Sequence, residues 1–161
     1  MNPSPGSPAP PLFQASIQRI IPHRFPFLLV DRVIEFVAGE RIAGIKHFPA
    51  NDATLEGQLM GAGVVPMGIV LETVTQLGAI LVLERPEMAG KIAVILQVPM
   101  ARMVRPVRLG ETLRLEASVV RLKETIGELR GAAYVGEELV AEGQMRFAIA
   151  DAASVGPRLG S

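Results

Sequence analysis

The chain has 161 residues, with sixteen Lys and Arg balanced by sixteen Asp and Glu. That is enough for one domain with a real core, and it leaves no overall field to attract nucleic acid or an anionic membrane. There is no cysteine and there are two histidines, His23 and His47, which excludes disulfides, a thiolate nucleophile and Cys- or His-rich metal sites. No cofactor is expected, and the longest apolar stretch is interrupted by Glu72, Thr73, Thr75 and Gln76, so no membrane span is predicted and a soluble cytoplasmic protein is expected.

In chain order, residues 1–11 (MNPSPGSPAPP) have almost nothing to bury and read as a disordered tail. Residues 151–161 read as a flexible tail, which leaves 12–150 as a single domain. SIQRII, Ser16 to Ile21, predicts a short helix capped by Ser16 and stopped at Pro22. Leu29 to Val37 and Arg41 to Phe48 predict a hairpin turning across Ala38-Gly39-Glu40. A polar loop around Asn51 and Asp52 follows, and then a glycine-rich run from Gly57.

From Pro66 the apolar residues cover most of a helical circumference, which predicts a buried helix that Pro86 stops at Arg85. Ile92 to Val98 is a short apolar strand. Leu113 to Val119 and Leu139 to Ile149 alternate as antiparallel strands with one buried face, the second entered by a Gly136-Glu137 turn. One buried helix and a long antiparallel sheet predict an α+β fold in which the sheet wraps the helix.

Glu72 lies one turn inside that helix, with Gln76 on the same face four residues later. A lone carboxylate in apolar surroundings is a candidate proton-transfer group, or else a buried glutamate satisfied by Gln76. Gly57, Gly61, Gly63 and Gly68 let the backbone approach a ligand, and free N–H groups at the helix start can hold a carbonyl oxygen as it gains charge. Arg102, Arg105 and Arg108 form a local basic cluster that suits an anionic partner or simply a solvated strand end. His23, between Pro22 and Arg24, reads first as a hydrogen-bonded structural histidine and second as a catalytic one. His47 is assigned no role.

The stretch IPHRFPFLLVDRV, Ile21 to Val33, closely resembles the N-terminal signature of the β-hydroxyacyl-(acyl carrier protein) dehydratases. The similarity continues through AGIKHFPANDATLEGQ and VVPMGIVLETVTQ and returns at ARMVRPVRLGETL. The resemblance implies the hot-dog fold, a long central helix wrapped by an antiparallel sheet. It also implies homodimers, often stacked as trimers of dimers, with active sites shared across the dimer interface. It implies elimination of water from 3-hydroxyacyl thioesters, in which a histidine removes the C2 proton and a helix glutamate helps the hydroxyl leave. That glutamate falls on Glu72, and the histidine, fourteen residues earlier, falls on Gln58.

By the same resemblance, Met67, Gly68 and Gln76 line the thioester and acyl site. Arg102 and Arg105 then meet a phosphopantetheine arm or carrier protein, with acyl carrier protein or coenzyme A as the acyl donor. Glutamine has no usable proton equilibrium near neutrality, so Gln58 cannot act as imidazole does. Three functions therefore stay open: a 3-hydroxyacyl dehydratase of fatty-acid or related lipid biosynthesis, an acyl-thioester hydrolase using Glu72 with Gln58, and a non-catalytic acyl-binding or partner subunit.

Overall fold

The computed structural model of the chain describes residues 10–52 and 63–155. In chain order the elements are α1 (Gln14–Ile20), β1 (Arg32–Val37), β2 (Arg41–His47), β3 (Val64–Val65), α2 (Met67–Leu83) and a 3-10 turn (Pro86–Met88). These are followed by β4 (Lys91–Met103), β5 (Val107–Arg108), β6 (Thr112–Lys123), β7 (Ile126–Val135), β8 (Glu138–Asp151) and α3 (Ala152–Val155). Six strands make one antiparallel sheet in the order β1-β2-β6-β7-β8-β4, and β3 pairs with β5 separately.

The alternation read in the sequence becomes one buried sheet face. Leu113, Leu115 and Ala117 on β6 and Ala141, Met145, Phe147 and Ile149 on β8 are buried, while intervening Arg114, Glu116, Gln144 and Arg146 keep contact with solvent. Helix α2 lies across this face and packs against β2, β4, β6, β7 and β8. Twelve of its seventeen residues are buried, which is why its apolar residues run all the way round. Its buried hydroxyls are satisfied locally: Thr73 Oγ1 donates to Ile69 O, and Thr75 Oγ1 donates to Leu71 O and Met145 Sδ. Among the described residues no helix is long and apolar enough to cross a membrane.

The closeness of α2 to the sheet depends on a glycine. A Cβ at Gly131 of β7 would strike Val74 Cγ1 on α2 and come within 3.2 Å of Glu116 O. Both neighbours are held in place, one by the core and one by the ladder. Gly131→Ala is therefore expected to destabilise the fold by about 1–3 kcal/mol through overpacking. The measurement is urea denaturation at an unchanged m-value.

Several boundaries differ from expectation for local reasons. Helix α1 starts at Gln14, with Phe13 at its N-cap and no side-chain cap; Ser16 lies inside it, its Oγ accepting a hydrogen bond from Arg19. β1 starts at Arg32, and Leu29 and Val30 are buried in the preceding loop. Helix α2 ends at Leu83, and Pro86 opens the 3-10 turn. β4 runs well past Val98, and its pairing with β8 slips between Ile95 and Gln97 and again between Gln97 and Met100, which accommodates Pro99 on an edge strand.

The two edges of the large sheet are unlike. On β1, Leu12 N–H donates to Val33 O at 3.0 Å and Val33 N–H donates to Leu12 O at 2.9 Å. β4 forms the other edge, with exposed Ile95, Leu96 and Val98.

Candidate active site

The site is built where the loop after α1 meets α2. Ile21 is extended, as a residue before proline must tend to be, and Pro22 sends the chain out of the helix. Arg24 then shapes the loop: its guanidinium donates to Ile21 O and His23 O, and its own carbonyl accepts from Phe27 N–H and Leu28 N–H.

Gln76 clamps this loop from the helix. Its Oε1 accepts from Leu29 N–H at 2.9 Å, and its Nε2 donates to Phe27 O at 2.8 Å and to Glu72 Oε1 at 2.9 Å. Gln76 itself is 1% exposed, and its bond to Leu29 N–H is buried.

The clamp brings His23 to Glu72. His23 Nε2 lies 3.5 Å from Glu72 Oε1, and each side chain is 28% exposed. The imidazole is tilted against the Phe27 ring, 6.3 Å between centroids, and its Nδ1 is buried with no hydrogen-bond partner among the described residues. His23, Glu72, Thr75 and Gln76 form the polar end of a cavity of about 120 Å³, and Ala79, Ala93, Ile95, Leu129 and Phe147 form its apolar end. Such a cavity suits a ligand with a reactive polar head and an aliphatic tail. A larger groove of about 280 Å³ on the outer sheet face is lined by Arg41, Arg114, Glu35 and Glu116, whose charges neutralise one another in ion pairs.

Residues 21–144 match the FabA-like domain family. The chain belongs to that family. A FabA-like relative from Desulforamulus reducens, named 3-hydroxyacyl-[acyl-carrier-protein] dehydratase FabZ, is 46% identical over 134 residues, 83% of this chain and 94% of its own length. The fold is the hot-dog fold, shared with a hot-dog-like protein from Thermanaerovibrio acidaminovorans at TM-score 0.59 and 23% identity, covering 78% of this chain and 95% of that one. The dehydratase heterocomplex ApeI:P from Xenorhabdus doucetiae is similar in structure at TM-score 0.70 and 15% identity, covering 85% of this chain and 92% of that one.

Within this FabA-like domain, the residues singled out from sequence fall in different places. Glu72 and Gln76 share the cavity, as their spacing implies, but Glu72 is half-buried at its rim and Gln76 is the deeply buried partner. Met67 and Gly68 open α2; among the described residues Ile69 N–H is the first to find a carbonyl, on Pro66, and a Cβ at Gly68 would meet nothing within 4 Å. Gln58 lies outside the described residues, as do Gly57 and Gly61.

The arginine cluster is interleaved with acids. Arg102 pairs with Glu142, its register partner on β8, and Arg105 donates to both Glu138 and Glu111. The Arg105 hydrogen bond holds the Glu111 carboxyl below the usual carboxylate range, desolvation opposes it, and Arg108 N–H adds to the lowering. A carboxyl lowered in the folded state stabilises above its unfolded value and loses that contribution as pH falls through its folded value. Arg105→Met should therefore lower the melting temperature at neutral pH and shrink its fall on acidification, with the two proteins converging at low pH, read from melting temperatures across a pH series.

His23 is the site member that the sequence reading set aside. Its surroundings in sequence favour a hydrogen-bonded structural histidine over a catalytic one, yet its Nδ1 has no hydrogen-bond partner among the described residues and its Nε2 faces the carboxylate. The available signal was its place in a proline-bounded loop, because loops held on a rigid scaffold carry function more often than strands do. His47 is held by Thr112 and Asp31, away from the cavity.

Proposed function

We propose that this protein eliminates water from 3-hydroxyacyl thioesters to give trans-2-enoyl thioesters in fatty-acid or related lipid biosynthesis. One observation carries the reading: Glu72 sits at the polar end of a cavity with an apolar floor, in a chain 46% identical to a 3-hydroxyacyl-[acyl-carrier-protein] dehydratase. In this reading the Glu72 carboxyl gives its proton to the departing hydroxyl, and Gln76 Nε2–H holds the resulting carboxylate. The N–H groups of Met67 and Gly68, one helical turn before Glu72, hold the thioester oxygen as charge develops on it. The acyl donor is a carrier-protein thioester. Glu142, Glu138 and Glu111 compete with its phosphate for Arg102 and Arg105, so docking there requires an exchange of ion pairs.

The active unit in this reading is a homodimer. β4 supports it: a thirteen-residue edge strand with exposed Ile95, Leu96 and Val98, of which Ile95 also lines the cavity. A second copy pairing along β4 would cover these residues and close the cavity on that side. Sedimentation velocity reads the dimer, and any stacking of dimers into a hexamer, directly.

Mass spectrometry of a 3-hydroxyacyl carrier-protein thioester incubated with the protein tests the activity, with Glu72→Ala as control. Loss of water that depends on Glu72 is the expected result. Release of free acid would identify an acyl-thioester hydrolase, and an unchanged thioester would leave an acyl-binding or partner role.

A further inference from the structure

Elimination of water takes a proton off C2 and puts one onto the leaving oxygen, a task that two titratable groups beside neighbouring carbons can share. Among the described residues that line the cavity, His23 and Glu72 are the titratable ones. Thr75 spends its hydroxyl proton on Leu71 O and Met145 Sδ, and the wall supplied by β4, β7 and β8 is apolar. The Arg24 guanidinium turns back onto backbone carbonyls.

We infer that His23 is the base that takes the C2 proton, an assignment that rests on the dehydration reading above. Its Nε2 faces the cavity beside Glu72 Oε1 at 3.5 Å. That separation is longer than a strong hydrogen bond, so the lone pair is not already committed to the carboxyl group. Its Nδ1 is buried with no hydrogen-bond partner among the described residues.

The step balances with these two residues. Nε2 takes hydrogen from C2 as a proton, and the C2–H electron pair becomes the second bond between C2 and C3. The C3–O pair leaves with the oxygen, which takes the Glu72 proton and departs as water. The imidazolium then lies against a carboxylate that also accepts from Gln76, and each charge stabilises the other. Return of the proton across the same 3.5 Å contact resets the pair with no further reactant.

The test is steady-state dehydration of a 3-hydroxyacyl carrier-protein thioester by the full chain as a function of pH. Wild type is compared with His23→Gln and Glu72→Gln, and circular dichroism melts report the fold. His23→Gln is expected to lower kcat by about 10²–10⁴ with little change in KM. The fall in rate on the acid side, where a protonated imidazole cannot accept, should disappear with it.

As a measurement free of any folding effect, wild-type protein is treated with diethyl pyrocarbonate. Loss of activity should track modification of His23, mapped by mass spectrometry, and substrate should protect it. Wild-type rate and pH profile in His23→Gln, or activity surviving full modification of His23, overturns the assignment while leaving the dehydratase reading intact. A wild-type protein with no more water loss than Glu72→Gln overturns both.

Discussion

Glu72→Gln is expected to lower kcat for water elimination by about 10²–10⁴, the usual contribution of a positioned proton donor. Glutamine keeps the length of the side chain and an oxygen that can still accept from Gln76 Nε2, so the clamp on the loop survives. The side chain is half-buried at the rim and is not part of the packed surface of α2, which rests on residues such as Val70, Val74 and Leu77. The melting temperature should therefore stay close to wild type while turnover collapses. A variant that turns over at the wild-type rate would remove Glu72 from the chemistry.

Gln76→Leu should produce the largest loss of stability of the variants considered. Leucine fills a similar volume but removes one acceptor and both donors. Leu29 N–H is then buried without a partner and Phe27 O loses its donor, for an expected cost of about 2–4 kcal/mol. The damage should be local before it is global. Amide hydrogen exchange is expected to rise first in the loop that carries His23, because Gln76 ties that loop to the helix. Dehydration should fall as well, since the same residue sets where both His23 and Glu72 stand. Urea denaturation and peptide-level exchange check the two parts; protection unchanged in the loop would show that the clamp is not what holds it.

The parts of the fold written in local patterns could be read from sequence. The all-round apolar run from Pro66 marks a helix that other elements enclose, and the alternation at Leu113–Val119 and Leu139–Ile149 marks strands with one wet face. β7 left no such mark. Gly127, Glu128 and Leu129 are consecutively buried, and Gly131 is a glycine because Val74 occupies the space of its side chain, so the period of two is erased where the strand meets the helix. β4 was seen only in part, since the slips around Gln97 and Pro99 break its alternation.

The site divides in the same way. Glu72 and Gln76 share a helix face, so their four-residue spacing carried the geometry. His23 reaches Glu72 through a tertiary clamp between Gln76 and a loop 47 and 49 residues away, and no local pattern encodes that distance. The ion pairs of the arginine cluster are hidden from the sequence for a related reason. Charge counted along the chain is positive there, but cross-strand register sets Glu142 opposite Arg102, and a turn brings Glu111 back to Arg105.

The unlike edges of the large sheet limit how copies of this chain can grow. A sheet open on both sides is a template that can extend without end, copy after copy. Among the described residues, Leu12 takes the hydrogen-bonding position beside Val33 on one side, and β4 offers the longer ladder on the other. In the proposed homodimer, edge-to-edge pairing of β4 across a two-fold axis would use up the longer ladder of both partners at once. In such a dimer, growth by strand addition along β4 would end after a single event, and a larger particle would assemble through the faces and ends of the pair.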